Sequence, residues 1–127
     1  MRVVIESFDS RFNHLKPKIR RIITRVAKFL DARTGYVEIS LVNDKIMKKN
    51  VLAFSVPKNF PRPEAGGKAL GEVYLNPGYI QKQGDNVSYM AVHGFLHLLG
   101  YDHKKKSDRM KMERKERILL QKLRTSY

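Results

Sequence analysis

The stretch His93-Gly94-Phe95-Leu96-His97-Leu98-Leu99-Gly100-Tyr101-Asp102-His103 holds three of the chain's four histidines, in the spacing H-x3-H-x2-G-x2-H. Residues four apart on an α-helix share a face, one turn above the other. His93 and His97 can therefore aim two imidazoles at one point. Gly100 follows where a residue able to take positive φ would stop the helix and turn the chain. That turn lets His103 swing back and complete a three-histidine site. Three protein ligands with one position left for water is the pattern of a catalytic zinc, whereas a structural zinc is usually closed by four.

A bare H-x3-H pair is more often surface or core histidine than ligand; the breaker glycine and the third histidine point to metal. The flanking residues put this helix in the interior. Tyr89, Val92, Leu96 and Leu99 form one apolar stripe and Ala91, Phe95 and Leu98 another, interrupted only by the histidines and Gly94. A helix apolar nearly all round is buried, and a polar pair there needs partners, which a metal supplies. The spacing also resembles the metzincin protease pattern H-E-x-x-H-x-x-G-x-x-H. The position of the protease glutamate is Gly94 here, so no carboxylate stands ready as the general base of that chemistry. The metal spacing is kept and the peptidase chemistry is not.

Outward from this stretch, 127 residues make one domain, 1–127, with enough chain for a real core. Lys and Arg number 26 against 12 acidic residues, a formal net charge of +14. That excess exceeds what solubility requires and points to a polyanion. With no long apolar run and no lipidation signal, nucleic acid is favoured over a membrane surface. The chain has no cysteine, which excludes disulfides and thiolate zinc sites and fits a reducing compartment. Arg2 and Glu6 place charge too early for the core of a signal peptide, and a cytoplasmic protein is expected.

The elements follow from periodicity and punctuation. Residues 2–8 read as a strand. A helix is expected from a cap at Asn13, with Pro17 in its first turn and Phe12, Leu15, Ile19, Ile22, Ile23, Val26 and Leu30 facing a sheet. Lys16, Lys18, Arg20, Arg21, Arg25 and Lys28 crowd its other side, as a solvated face or a phosphate-contacting one. Tyr36 to Val42 is a strand, Asn43 and Asp44 cap one or two helical turns through Lys49, and Val51 to Val56 is a strand. Pro57 to Leu70 is a loop of functional length, Gly71 to Asn76 a strand, and Pro77-Gly78 opens a short helical stretch. The histidine helix starts near Asn86. A last helix from Ser107 turns Met112, Leu119, Leu120 and Leu123 inward and Arg109, Lys111, Arg114, Lys115 and Lys122 outward. The sum is an α+β domain: a small mixed sheet packed with helices, the central one carrying a three-histidine metal site.

Read as HGFLHLLGYDH, residues 93–103 resemble the signature of the YbeY family of bacterial metal-dependent endoribonucleases. EISLVND (Glu38 to Asp44), VLAFSVP (Val51 to Pro57, against the family's DVLSFP) and GEVYLN (Gly71 to Asn76) support the likeness. The resemblance implies a single-domain α+β fold with one Zn2+ per chain held by His93, His97 and His103. It also implies cleavage of single-stranded RNA, with a role in ribosomal RNA processing and small-subunit maturation or quality control. One segment departs. The family has a longer stretch before DVLSFP, roughly N-x-x-Y-R-x-K-D-x-P-T-D, with an arginine near the active site. Here Lys45-Ile46-Met47-Lys48-Lys49-Asn50 runs almost directly into the strand. Lysine lacks the planar fork that grips a phosphate bidentately.

The expectation is a zinc-dependent RNA phosphodiesterase without a small-molecule cofactor, its nucleophile a water or a ribose 2′-hydroxyl. Asp102 is a candidate partner for a histidine or a turn residue. Lys48, Lys49, Lys104, Lys105 and Lys106 are candidate phosphate contacts. Gly94 either leaves room for an RNA backbone beside the metal or lets the helix pack closely on the sheet. Two other classes stand beside this one. The first is a non-catalytic RNA-binding ribosome assembly factor with a structural zinc, and the second a peptide or small-molecule metallohydrolase, disfavoured by Gly94 and by the charge.

Overall fold

A computed structural model describes residues 1–32, 34–56, 69–100, 110–111, 113–118 and 121. Four strands form one mixed sheet in the order β1-β2-β4-β3: β1 Arg2–Ser7, β2 Tyr36–Leu41, β3 Val51–Ser55 and β4 Ala69–Leu75. β1 and β2 run parallel, as do β2 and β4, and β3 returns antiparallel along β4 at the edge. The helices are α1 Lys16–Phe29, α2 Pro77–Lys82 and α3 Val87–Leu98, and residues 110, 111, 113–118 and 121 are also helical. The fold is α+β with a small mixed sheet, as the sequence implies.

Alternation decides which face is covered. Val3, Ile5, Val37, Ile39, Leu41, Val73 and Leu75 point one way into a core shared with Ile19, Ile22, Ile23, Val26 and Ala27 of α1 and with most of α3. Successive strand residues face opposite ways, so Glu6, Glu38, Glu72 and Tyr74 occupy the other face. In this arrangement α1 bridges the parallel pair β1 and β2, while α3 lies over β3 and β4 and touches α1. α3 is therefore the central helix. None of the described helices is long and apolar enough to cross a membrane.

Local details correct several expected boundaries. α1 does not start at a cap on Asn13. Asp9 caps a short 3-10 helix, Ser10–Leu15, and α1 continues from it with Leu15 at its N-cap position and no side-chain cap bond. The helical turns expected after Asn43 are a tight turn instead: the Ile46 and Met47 amides both donate to the Asn43 carbonyl, and Asn43 Oδ1 accepts from Lys45 N at 3.1 Å. Asn76 explains why that turn stays compact. It is buried, its Oδ1 caps α2 by accepting from Tyr79 N, and its Nδ2 donates to Asp44 Oδ1 at 2.8 Å and to the Met47 carbonyl at 2.7 Å. Ala69 and Leu70 belong to β4 rather than to the loop before it, of which residues 57–68 lie outside the described residues.

Gly71 is required by close approach. Its φ is +141°, and a Cβ there would run into the Phe54 carbonyl and stand 2.9 Å from Ser55 Cα. It sits where the β2–β4 register shifts, Tyr36 pairing Ala69 and Val37 pairing Gly71, so that Leu70 is the extra residue. This glycine fixes the edge hairpin against which α3 packs.

Candidate metal centre

α3 begins and ends where the sequence marks it. Asn86 is extended, and its Oδ1 accepts from the amides of Ser88 at 2.8 Å and Tyr89 at 3.2 Å, meeting two donors a helix start leaves unpaired. At the other end Gly100 takes φ +103°, its amide donating to the His97 carbonyl at 3.1 Å. Only a residue without Cβ adopts that conformation freely, and it ends the helix directly after the histidine pair.

Ser88, Met90, Ala91, Val92, Gly94, Phe95, Leu96 and Leu98 of α3 are buried. Tyr89, His93 and His97, four residues apart, lie along a strip that is only partly covered. The two imidazole centroids stand 6.3 Å apart with the rings edge to face, and Tyr89 stacks on His93 at 6.4 Å and 28°. Two imidazoles sharing one zinc, with Zn–N bonds of about 2.0–2.1 Å, have centroids roughly 5 Å apart. Side-chain rotation that closes this pair by about 1 Å reaches that separation, so the donors placed here fit a metal. His103 and Asp102 lie outside the described residues. Among those described, no cluster of three or more His, Asp or Glu is assembled for a metal.

A carboxylate absent from the sequence reading completes the histidine strip. Glu116 is fully buried, and its Oε1 lies 2.7 Å from His93 Nδ1. An ionised carboxylate only accepts, so in this pairing Nδ1 is the donor. Burial first, and then the nearby Glu116 carboxylate, push the Tyr89 hydroxyl up to about 12. Sequence reasoning took the outward face of the last helix as its charged one and passed over Glu116. The signal was present nonetheless: positions 112, 116, 119 and 123 follow helical spacing, so Glu116 interrupts the very stripe read as apolar.

Gly94 is resolved in favour of packing. A Cβ there would stand 2.7 Å from Val73 Cγ1 and 3.2 Å from Val51 Cγ2. The glycine faces the sheet, and the alternative that it makes room for an RNA backbone is overturned. Lys48 and Lys49 are exposed on the segment leading into β3, held between Met47, whose carbonyl Asn76 grips, and Asn50, whose carbonyl accepts from the Asn76 amide. Lys104, Lys105 and Lys106 lie outside the described residues.

With this geometry in place, comparison with known proteins is decisive about ancestry. Residues 5–124 match the family described as Endoribonuclease YbeY. The chain belongs to the YbeY family. Its relatives include proteins named Endoribonuclease YbeY from Rhodopseudomonas palustris strain BisB18, 35% identical over 83% of this chain and 76% of the relative, and from strain CGA009, 29% identical over 83% and 67%. Another from Anaplasma marginale strain Florida is 31% identical over 84% of this chain and 68% of its own length. This YbeY-family chain spans about two thirds of the length of several relatives it matches. The compact Asn43–Met47 turn occupies the place where the sequence departs from the family's arginine-bearing stretch, and the described residues offer exposed lysines there instead.

Proposed function

We propose that this chain is a metal-dependent endoribonuclease acting on single-stranded RNA, in ribosomal RNA processing and maturation of the small ribosomal subunit, in the cytoplasm. The observation that carries the reading is the His93–His97 pair on the open strip of an otherwise buried α3, turned off at once by Gly100, in a YbeY-family chain. His93, His97 and His103 are the residues that would hold one zinc ion. When bound, zinc supplies Lewis acidity toward a non-bridging phosphate oxygen and makes a water acidic enough to act as a nucleophile near neutral pH.

The protein's own part is to bind and orient. His93 and His97 present ring nitrogens from one helix face, and the packing of α3 on β3 and β4 keeps their backbone rigid. Exposed Lys48 and Lys49, with Lys104, Lys105 and Lys106, would neutralise phosphates of the strand. The net charge of +14 gathers RNA toward the surface. Tyr89, against His93, offers an aromatic edge beside the site. The attacking oxygen is a water or the neighbouring ribose 2′-hydroxyl.

A second reading, an RNA-binding assembly factor that does not cleave, is favoured by one observation: the short Asn43–Asn50 connection carries lysines and no arginine. One assay separates the two. Labelled single-stranded RNA and a peptide substrate are incubated with zinc-loaded wild type, with chelator-treated wild type and with His97→Ala, and RNA binding is measured in parallel. The expected result is cleavage of RNA and not of peptide by the zinc-loaded wild type alone. RNA bound but left intact by the zinc-loaded protein would establish the assembly-factor reading instead.

A further inference from the structure

Glu116 has no apparent place in the core. It is a carboxylate with no exposed surface, in helical residues whose neighbours Lys111, Glu113, Arg114 and Arg117 are exposed. Burying an ion is costly unless it is hydrogen-bonded, and replacing a buried polar pair by apolar side chains of similar volume is often neutral or stabilising. A leucine would pin these helical residues to α3 at least as well. The carboxylate must do something that packing does not.

Its contacts show what that is. Glu116 Oε1 meets His93 Nδ1 at 2.7 Å, the short distance of a charge-assisted bond. The Tyr89 ring lies along the His93 ring, with centroids 6.4 Å apart. The imidazole is thus held at its edge by the carboxylate and on its face by a tyrosine ring one helical turn before it.

We propose that Glu116 is a positioning residue for the metal centre, holding His93 by Nδ1 so that Nε2 is the nitrogen offered to the ion. This rests on the zinc reading above and extends it to a residue well beyond the histidine motif. A free imidazole divides its proton between two nitrogens and rotates about two bonds. The buried carboxylate removes both freedoms before the metal arrives and makes the ring a stronger donor, an arrangement whose loss typically weakens metal affinity 10–100-fold. It also ties the site to the C-terminal helical residues, so that their docking and metal binding support each other.

The test compares wild type, Glu116→Ala, Glu116→Gln, Tyr89→Phe and His97→Ala, all of the full chain. Zinc affinity is measured by competition with a chromophoric chelator, the His93 tautomer by 15N shifts in zinc-free protein, and folding by circular dichroism. Wild-type His93 should carry its proton on Nδ1. Glu116→Ala should lose that preference and bind zinc roughly 10–100-fold more weakly. Glu116→Gln, which keeps an acceptor oxygen, should fall between and decides the matter if the alanine variant does not fold. Tyr89→Phe should leave the tautomer in place. Zinc affinity within twofold of wild type in folded Glu116→Gln and Glu116→Ala, with an unchanged tautomer, overturns the inference while leaving the metal reading intact. Wild type that binds zinc no better than His97→Ala overturns the metal reading, and the inference with it.

Discussion

α1 and α3 lie on the same face of the sheet and touch, yet they spend their polar residues differently. α1 buries Ile19, Ile22, Ile23, Val26 and Ala27 and leaves Lys18, Arg20, Arg21 and Lys28 in water. Its charges cost nothing to keep, so their presence says little about what they do. α3 buries eight of its twelve residues, and its polar strip of Tyr89, His93 and His97 is kept in a mostly apolar helix with a buried glutamate set against it. Polar groups held against that gradient need a reason, and the metal binding proposed above would supply one.

The same substitution on both helices puts this contrast at risk. Gly94→Glu drives a carboxylate into the space where even a Cβ stands 2.7 Å from Val73 Cγ1. A buried, unpaired charge of that kind should lower stability by roughly 3 kcal/mol or more. Lys18→Glu places the same side chain on the exposed face of α1 and should change stability by less than about 0.5 kcal/mol. Chemical denaturation of the two variants measures this. If Gly94→Glu unfolds at the wild-type midpoint, α3 is not packed on β3 and β4 as described.

How far the sequence could be read follows the same division. The α1 face, β2, β3, the Asn86 cap and the Gly100 stop were legible, because each depends on period or on one residue's conformational preference. The order β1-β2-β4-β3 was not, since pairing of β4 with both β2 and β3 joins segments far apart in the chain. Gly94 stayed open between two roles for a similar reason: the valines that decide it, Val51 and Val73, sit on other elements. Asn13 looked like a helix cap, but the cap is Asp9: it accepts from the Arg11 amide and opens a 3-10 helix ahead of α1, and Asn43, from a distant segment, also donates to it. The histidine pair was plain from spacing alone. Its carboxylate partner was not, because a glutamate among lysines and arginines reads as one more solvated charge.

The cations of α1 allow a milder test. Lys18→Gln with Lys28→Gln should leave stability within about 0.5 kcal/mol of wild type. If those side chains bind RNA, the slope of log affinity against log salt should become shallower by about 1.4, from roughly 0.7 for each single-strand phosphate no longer neutralised. An unchanged slope would leave Lys18 and Lys28 as solvated charges outside the RNA footprint.

The smallest expected effect concerns how the two helices begin. α3 starts on its own cap, Asn86, whereas α1 inherits its start from the 3-10 helix that Asp9 caps. The Asp9 carboxylate accepts from the Arg11 amide at 3.0 Å, from the Arg11 guanidinium through two nitrogens, and from Asn43 Nδ2 at 3.1 Å. The Arg11 side chain first, then Asn43, holds this carboxyl far below the usual carboxylate range. The sign follows from linkage: an unfolded Asp takes up its proton near pH 3.9, while the folded one resists until lower pH. The stabilising contribution is therefore complete above about pH 4 and is lost as pH falls toward the folded value. Asp9→Asn cannot titrate. It should be slightly less stable than wild type at pH 7, and the gap should narrow steadily below about pH 4. High salt should narrow it too, because Arg11 is exposed and its charge is screened. Thermal unfolding of both proteins from pH 7 to pH 2 checks this. A gap that does not change with pH would mean that Asp9 acts by shape alone, and that α1, like α3, starts without help from charge.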